Sequence, residues 1–250
     1  MKKTLLGVLL VLGLQVMAQR PIAVENGKFF EIEGNRMLYG GDLKEMHFEI
    51  NNLDLNPKQF HYGLGRERFP ALIAPEFETV SLADKHWKET DRFLVAYKDN
   101  HIKAYSIKDL TRHEVVNDVI SDKPIFAAYC ILADLGAIYK RTYADKVFTF
   151  AVSGYTYYDP GVWQGLDGFI LWDRETESLW WPLIDKAVSG PLKGVKLQKL
   201  KEVYWKDTNW KDIKENFPNA KVLISNQDYE RPVGWRNYKD VSKIVQMYSN

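Results

Sequence analysis

The sequence predicts a β-rich α+β fold, an antiparallel sheet or partly closed barrel with a few short helices. Three observations predict it. Short runs rich in β-branched and aromatic residues recur along the chain, turn residues separate them, and few segments carry a helical period. Residues 19–90 read as an extension of loops and short helices ahead of the core, with Gly34, Gly40, Gly41, Gly63 and Gly65. Within it, Asn56-Pro57 is a helix start with proline at the first helical position. Ser81 followed by Asp84 resembles a capping box before a short helix carrying Trp87.

The core domain is expected over 91–225. RFLVAY (92–97) and HIKAYS (101–106), joined through Asp99-Asn100, form a predicted hairpin. A helix follows over about 107–116. IFAAYCIL (125–132), LGAIYKR (135–141) and VFTFAVS (147–153) are strand-like. GFILWD (168–173) and ESLWWP (177–182) flank Arg174-Glu175-Thr176 as a second hairpin. GVKLQKLKEVYW (194–205) alternates as a half-exposed strand does. A second helix is expected from the cap Thr208, with Trp210, Ile213 and Phe217 on one face and Pro218 ending it. VLIS (222–225) is the last strand, and 226–250 is a polar and aromatic tail.

Residues 1–18 have the three-part layout of a secretory signal: Lys2 and Lys3, an apolar run from Leu5, and Val16-Met17-Ala18 at the cleavage position. The run is shorter than the roughly 20 apolar residues of a spanning helix. A secreted or periplasmic protein with no transmembrane segment after cleavage is the expectation. Lysine plus arginine number 34 against 33 aspartate plus glutamate, without a basic stripe, which argues against nucleic acid as a partner. Hydrophobic residues make up 46%, enough for a packed core. Cys130 is the single cysteine, so no internal disulfide forms, and the residue is either buried or reactive.

LTRHEVVND (110–118), KPIFAAYC (123–130), FAVSG (150–154), LWDRETESLW (171–180), AVSGPLKG (187–194) and FPNAKVLIS (217–225) occur in this order. Together they resemble the domain-of-unknown-function family 3179, found mainly in bacteria, and LNPKQFHYGLGRERFPALI (55–73) is similar to the N-terminal region of one of its subgroups. The family carries no established activity, so the resemblance implies neither a reaction nor a cofactor. Many members have Cys-Pro-Leu-Cys where this chain has Cys130-Ile131-Leu132-Ala133. Without the second sulfur, that motif supplies neither a dithiol couple nor a two-thiolate metal grip.

The candidate chemistry centres on a shared polar pocket of His113, Cys130, Asp173 and Arg174. In an enzyme, Cys130 would be the nucleophile and His113 the acid–base group, oriented by Asn117, Asp118 or Asp173. The bland alternatives are a histidine bonded to local carbonyls, a packed thiol and a charged hairpin tip. A binding module for an unknown small or glycan-like ligand would instead use Arg174 as an anion clamp with the aromatic cluster Tyr155, Tyr157, Tyr158 and Trp163 around Asp159-Pro160-Gly161. Metal binding is the weakest reading, because His47, His61, His86 and His101 are scattered and no metal ligands are assigned.

Overall fold

A computed structural model describes residues 25–225 and 241–249. The expected signal peptide lies outside the described residues, as does the tail over 226–240. Strands dominate, in several antiparallel sheets with no closed barrel and four short α-helices among the described residues.

The longest apolar runs are strands whose alternate residues serve two cores. In Lys123–Cys130, Phe126, Ala128 and Cys130 pack into one cluster, and Ile125, Ala127 and Tyr129 into another. A strand buried on both faces loses polar alternation, and so IFAAYC reads as continuously apolar. It is the centre of a three-stranded antiparallel sheet, between Leu135–Lys140 and Val115–Ile120. This sheet is the middle layer of the fold.

On one side lies a six-stranded antiparallel sheet, ordered Glu25–Asn26, Phe60–Tyr62, Phe150–Tyr157, Gly168–Asp173, Leu179–Trp181, Lys186–Ser189. Phe126 stacks on Phe150 with ring centroids 4.2 Å apart, joining the two layers. On the other side is a five-stranded sheet, ordered Tyr204–Asn209, Arg92–Lys98, His101–Ser106, Lys221–Leu223, Phe77–Thr79. Its Leu94 and Ala96 face the middle layer, while Phe93 and Val95 face Trp210 and Ile213 of the outer helix Trp210–Asn216. Strands of the region read as an N-terminal extension, Phe60–Tyr62 and Phe77–Thr79, are hydrogen-bonded into these two sheets.

Several local expectations are corrected. The helix expected to 116 is Ile107–His113, capped by Ser106 Oγ on the Asp109 N–H, and it stops because Glu114 takes a left-handed conformation with φ 55°. Asn117 is therefore in a strand rather than one turn beyond His113. Its amide instead donates to Phe150 O and accepts from Phe150 N, both at 2.8 Å, stitching the middle sheet to the larger one. Thr79, not Ser81, caps the short helix Val80–Ala83. Asn209, not Thr208, caps Trp210–Asn216, because Thr208 still pairs with Phe93 in the sheet. The run 194–203 forms no strand. Val195 and Leu197 are buried, but the backbone bonds in turn to different partners: Lys196 N to Tyr248 O, Leu197 N to Asp185 O, and Gln198 O from Lys140 N. The tail read without a period carries the helix Ser242–Tyr248. Tyr155 and Tyr157 are not in a loop; both are buried in the strand Phe150–Tyr157.

The hairpin of Gly168–Asp173 and Leu179–Trp181 has a buried tip. Asp173 accepts from the Thr176 N–H and hydroxyl, both at 2.7 Å, and from Trp180 Nε1 at 2.8 Å. Arg174 forms a bidentate pair with Glu67, Nε to Oε1 at 2.7 Å and Nη2 to Oε2. Both members are under 7% exposed by side chain. Burial of this kind makes removal of one partner costly, since a charge is left without compensation. Arg174→Met should lower unfolding free energy by about 3–5 kcal/mol. Adding Glu67→Gln should recover part of that loss, measured by urea denaturation.

Candidate functional site

Residues 63–72 form a strap that ties the layers together. Gly63 N donates to Gly154 O at 2.9 Å, and Glu67 N donates to Val152 O at 3.0 Å. Between these contacts the strand Phe150–Tyr157 bulges, its register shifting between Val152 and Tyr155. Gly154 sits in the bulge at φ 84°, and a Cβ there would lie 2.1 Å from Gly65 C and O. Only glycine fits both the left-handed backbone and this approach. Farther along, the strap meets the middle sheet, where Leu72 N bonds Val115 O at 3.0 Å and Asn117 N bonds Leu72 O at 2.7 Å.

The bulge, the strap and the end of Lys123–Cys130 enclose a cleft of about 240 Å³. Its walls include Leu64, Phe69, Leu132, Val152, Tyr155 and Phe169, and Glu114 lines it too. Glu114 reaches this position through its left-handed backbone at the helix end. There its N–H closes the last turn onto Leu110 O at 2.6 Å, and its C=O accepts from Tyr129 N at 2.9 Å. Glycine or asparagine is usual at such a position; a β-carbon there costs about 1–2 kcal/mol. Among the described residues the Glu114 carboxyl has no hydrogen-bond or ion-pair partner. Burial alone pushes it up to about 7 from 4.5.

A second group of polar residues lies across the sheet. His61 is directly opposite Thr156, and Thr156 opposite Phe169. Asp167 ties the row together: its Oδ2 pairs with His61 Nδ1 and accepts from Thr156 Oγ1 at 3.0 Å. Cys130 lies against the same stretch, with Sγ accepting from Phe169 N at 3.4 Å and directed to Asp167 O at 3.8 Å. Burial pushes the thiol up to about 11, and the nearby Glu114 adds to the shift. Cys130 lines a neighbouring cavity of about 320 Å³ with Trp163, Tyr139 and Lys199, and Phe169 borders both spaces.

The predicted site residues distribute as follows. Cys130 and Trp163 share the larger cavity, and Tyr155 lines the smaller cleft. The Tyr155 hydroxyl donates to Tyr39 O at 2.6 Å, and that of Tyr157 to Gln59 Oε1 at 2.9 Å. His113 is buried, and its Nδ1 lies 2.8 Å from Pro70 O; a carbonyl only accepts, so this nitrogen carries a proton. Asp173 and Arg174 belong to the buried hairpin tip, where burial pushes Asp173 up to about 7. Of the three groups considered as orienters of His113, Asn117 is bonded to Phe150, Asp118 to Lys103 Nζ and the Tyr105 hydroxyl, and Asp173 to Thr176 and Trp180. Among the described residues no group of three or more histidine, cysteine, aspartate and glutamate side chains is placed to hold a metal. Sequence reasoning passed over Glu114 and Asp167, and weighed His61 only as one of several scattered histidines. Glu114 lay within HEVVND beside the chosen histidine, whereas His61 and Asp167 are 106 positions apart and carried no local signal.

The raised Glu114 pKa fixes the sign of a pH effect. A carboxyl that holds its proton more tightly when folded favours the folded state fully below about 4.5, and that contribution is lost as pH rises through about 7. Glu114→Gln keeps the neutral form at every pH. It should therefore leave stability at pH 5 nearly unchanged and raise it at pH 8 by on the order of 2 kcal/mol. Thermal unfolding of both proteins across that range checks this; a destabilised variant at pH 8 would contradict it.

Among the described residues no helix is long and apolar enough to cross a membrane. Comparison with curated proteins and with solved structures finds no match. The family described as "Protein of unknown function (DUF3179)" matches residues 66–249, a span that takes in the strap from Arg66, Glu114, Cys130 and the lining of both cavities except Gly63, Leu64 and Gly65. The chain belongs to that family of proteins of unknown function.

Proposed function

We propose that the protein is an exported binding module that holds a small, largely apolar molecule in the cleft beside Glu114. The observation that carries this reading is a carboxyl with no partner among the described residues, in a cleft walled mainly by Leu64, Phe69, Leu132, Val152 and Phe169. Small-molecule sites combine a mostly apolar lining with a few polar groups that orient the ligand, and Glu114 supplies such a group. Export rests on the N-terminal layout of Lys2, Lys3 and the apolar run to Ala18.

The thiol–imidazole enzyme is less well supported. A thiol pushed up to about 11 is scarcely ionised at neutral pH, and the proton on His113 Nδ1 is engaged by Pro70 O. The glycan-binding alternative needs exposed rings and a free arginine face, whereas Tyr155, Tyr157 and Arg174 are buried.

Protein-observed methyl NMR with a library of fragment-sized molecules tests the proposal. Hits should shift the methyl signals of Leu64, Leu132 and Val152, and should persist with little change in affinity in Cys130→Ala. Hits confined to other surfaces would contradict the reading, as would binding that disappears with the thiol.

A further inference from the structure

We infer that the ligand of the Glu114 cleft carries a basic nitrogen: a small amine with an apolar body, bound as its ammonium ion. This rests on the binding function proposed above and names the chemistry it selects. Among the described residues the cleft presents one carboxyl and no countercharge. Its lining includes Gly63, Leu64, Gly65, Phe69, Ile131 and Leu132 on one side and Val152, Gly154, Tyr155, Thr156 and Phe169 on the other, with no lysine, arginine or histidine.

The ionic groups on the elements that wall the cleft have partners elsewhere or, like the exposed Arg68 of the strap, are not part of its lining. On the strap, Arg66 pairs with Glu177 at 2.5 Å, and its guanidinium lies 3.6 Å from the Trp172 ring centroid. Glu67 pairs with Arg174. Beyond the sheet row, Asp167 pairs with His61. On the helix that ends at the cleft, Asp109 accepts from Ser106 and Ser225, His113 Nδ1 is held by Pro70 O, and Arg112 is exposed. The hydroxyl of Thr156 donates away from the cleft, to Asp167. An apolar ligand that enters will strip water from Glu114 and make its ionised form costlier still. A ligand that brings a cation reverses that cost: the ammonium donates to the carboxylate in a water-poor space, where charge-assisted hydrogen bonds are strongest. An anionic ligand would meet a like charge. A neutral hydroxyl offers one uncharged hydrogen bond in place of the ion pair.

The effect of pH has a definite direction. Alkylamines stay protonated through neutral pH. Their affinity therefore rises as the carboxylate forms around pH 7, whereas a neutral ligand of the same shape gains nothing from that ionisation.

The test uses three matched probes on the mature protein: cyclohexylamine, cyclohexanol and cyclohexanecarboxylate, titrated by NMR at pH 6 and pH 8. Expected is cyclohexylamine binding about tenfold or more tighter than cyclohexanol at pH 8. That preference should shrink at pH 6, and cyclohexanecarboxylate should bind weakest. In Glu114→Gln the preference should vanish while cyclohexanol still binds. The comparison between pH values uses the unaltered protein, so the outcome does not depend on the variant folding. Equal affinity for amine and alcohol, or tighter binding of the alcohol or the carboxylate, overturns the amine assignment and leaves the binding function standing. If none of the three probes binds in the cleft, both readings fall.

Discussion

The close approach of two backbone segments at Gly65 and Gly154 is the constraint on which the rest of the site depends. A Cβ at residue 154 would lie 2.1 Å from Gly65, so the strap and the bulged strand fit only because residue 154 is glycine. Around that contact the strap bonds to Gly40, Val152 and Gly154 by backbone, and to Arg174 through Glu67. It then runs on to the middle sheet at Leu72, passing the carbonyl of Pro70 that holds His113. One ten-residue segment thus fixes the helix end, the hairpin tip and the bulge relative to each other.

That arrangement gives the cleft its chemical character. The helix Ile107–His113 must stop short for Val115–Ile120 to enter the middle sheet, and the residue at the corner takes φ 55°. A glutamate placed there accepts backbone strain, and it is half-buried with no partner among the described residues. Neither is explained by packing: glycine would relieve the strain, and a neutral side chain would remove the desolvation. Two local costs at one residue lining a cleft support the binding proposal, since functional sites are where local and global preferences part. The buried pair Arg174–Glu67 differs from it. Its charges compensate each other and join two segments, so its role is architectural.

Much of the architecture was legible in the sequence because it is locally encoded. The hairpin about Asp99-Asn100 and the hairpin about Arg174-Glu175-Thr176 stand where their turn residues put them. The helix at Trp210 has the apolar spacing that its burial against Phe93 and Val95 requires. What was not legible depends on tertiary contact. The 194–203 segment alternates like a strand, yet its alternation reflects Val195 and Leu197 reaching a core while the backbone bonds to scattered partners. Tyr155 and Tyr157 resembled a loop cluster because they follow the expected strand end at Ser153 and lie close to Asp159-Pro160-Gly161, whereas the strand continues through its bulge to Tyr157. Glu114 was hidden by its neighbour. A histidine at a helix end invites a catalytic reading, whereas the left-handed turn that sends the next residue into an apolar cleft is set by Tyr129 N on Glu114 O across the sheet. His61 and Asp167 meet only because their strands are brought together through Phe150–Tyr157.

The measurement that bears most directly on this account is a carbon-13 titration of the Glu114 side-chain carboxyl in the ligand-free protein, assigned with Glu114→Gln. A midpoint of about 7 is predicted, from desolvation of a carboxyl with no partner among the described residues. A midpoint near the ordinary 4.5 would mean that the carboxyl is solvated or compensated by a group not acting on it here, and would contradict the claim that Glu114 is the unsatisfied centre of the site.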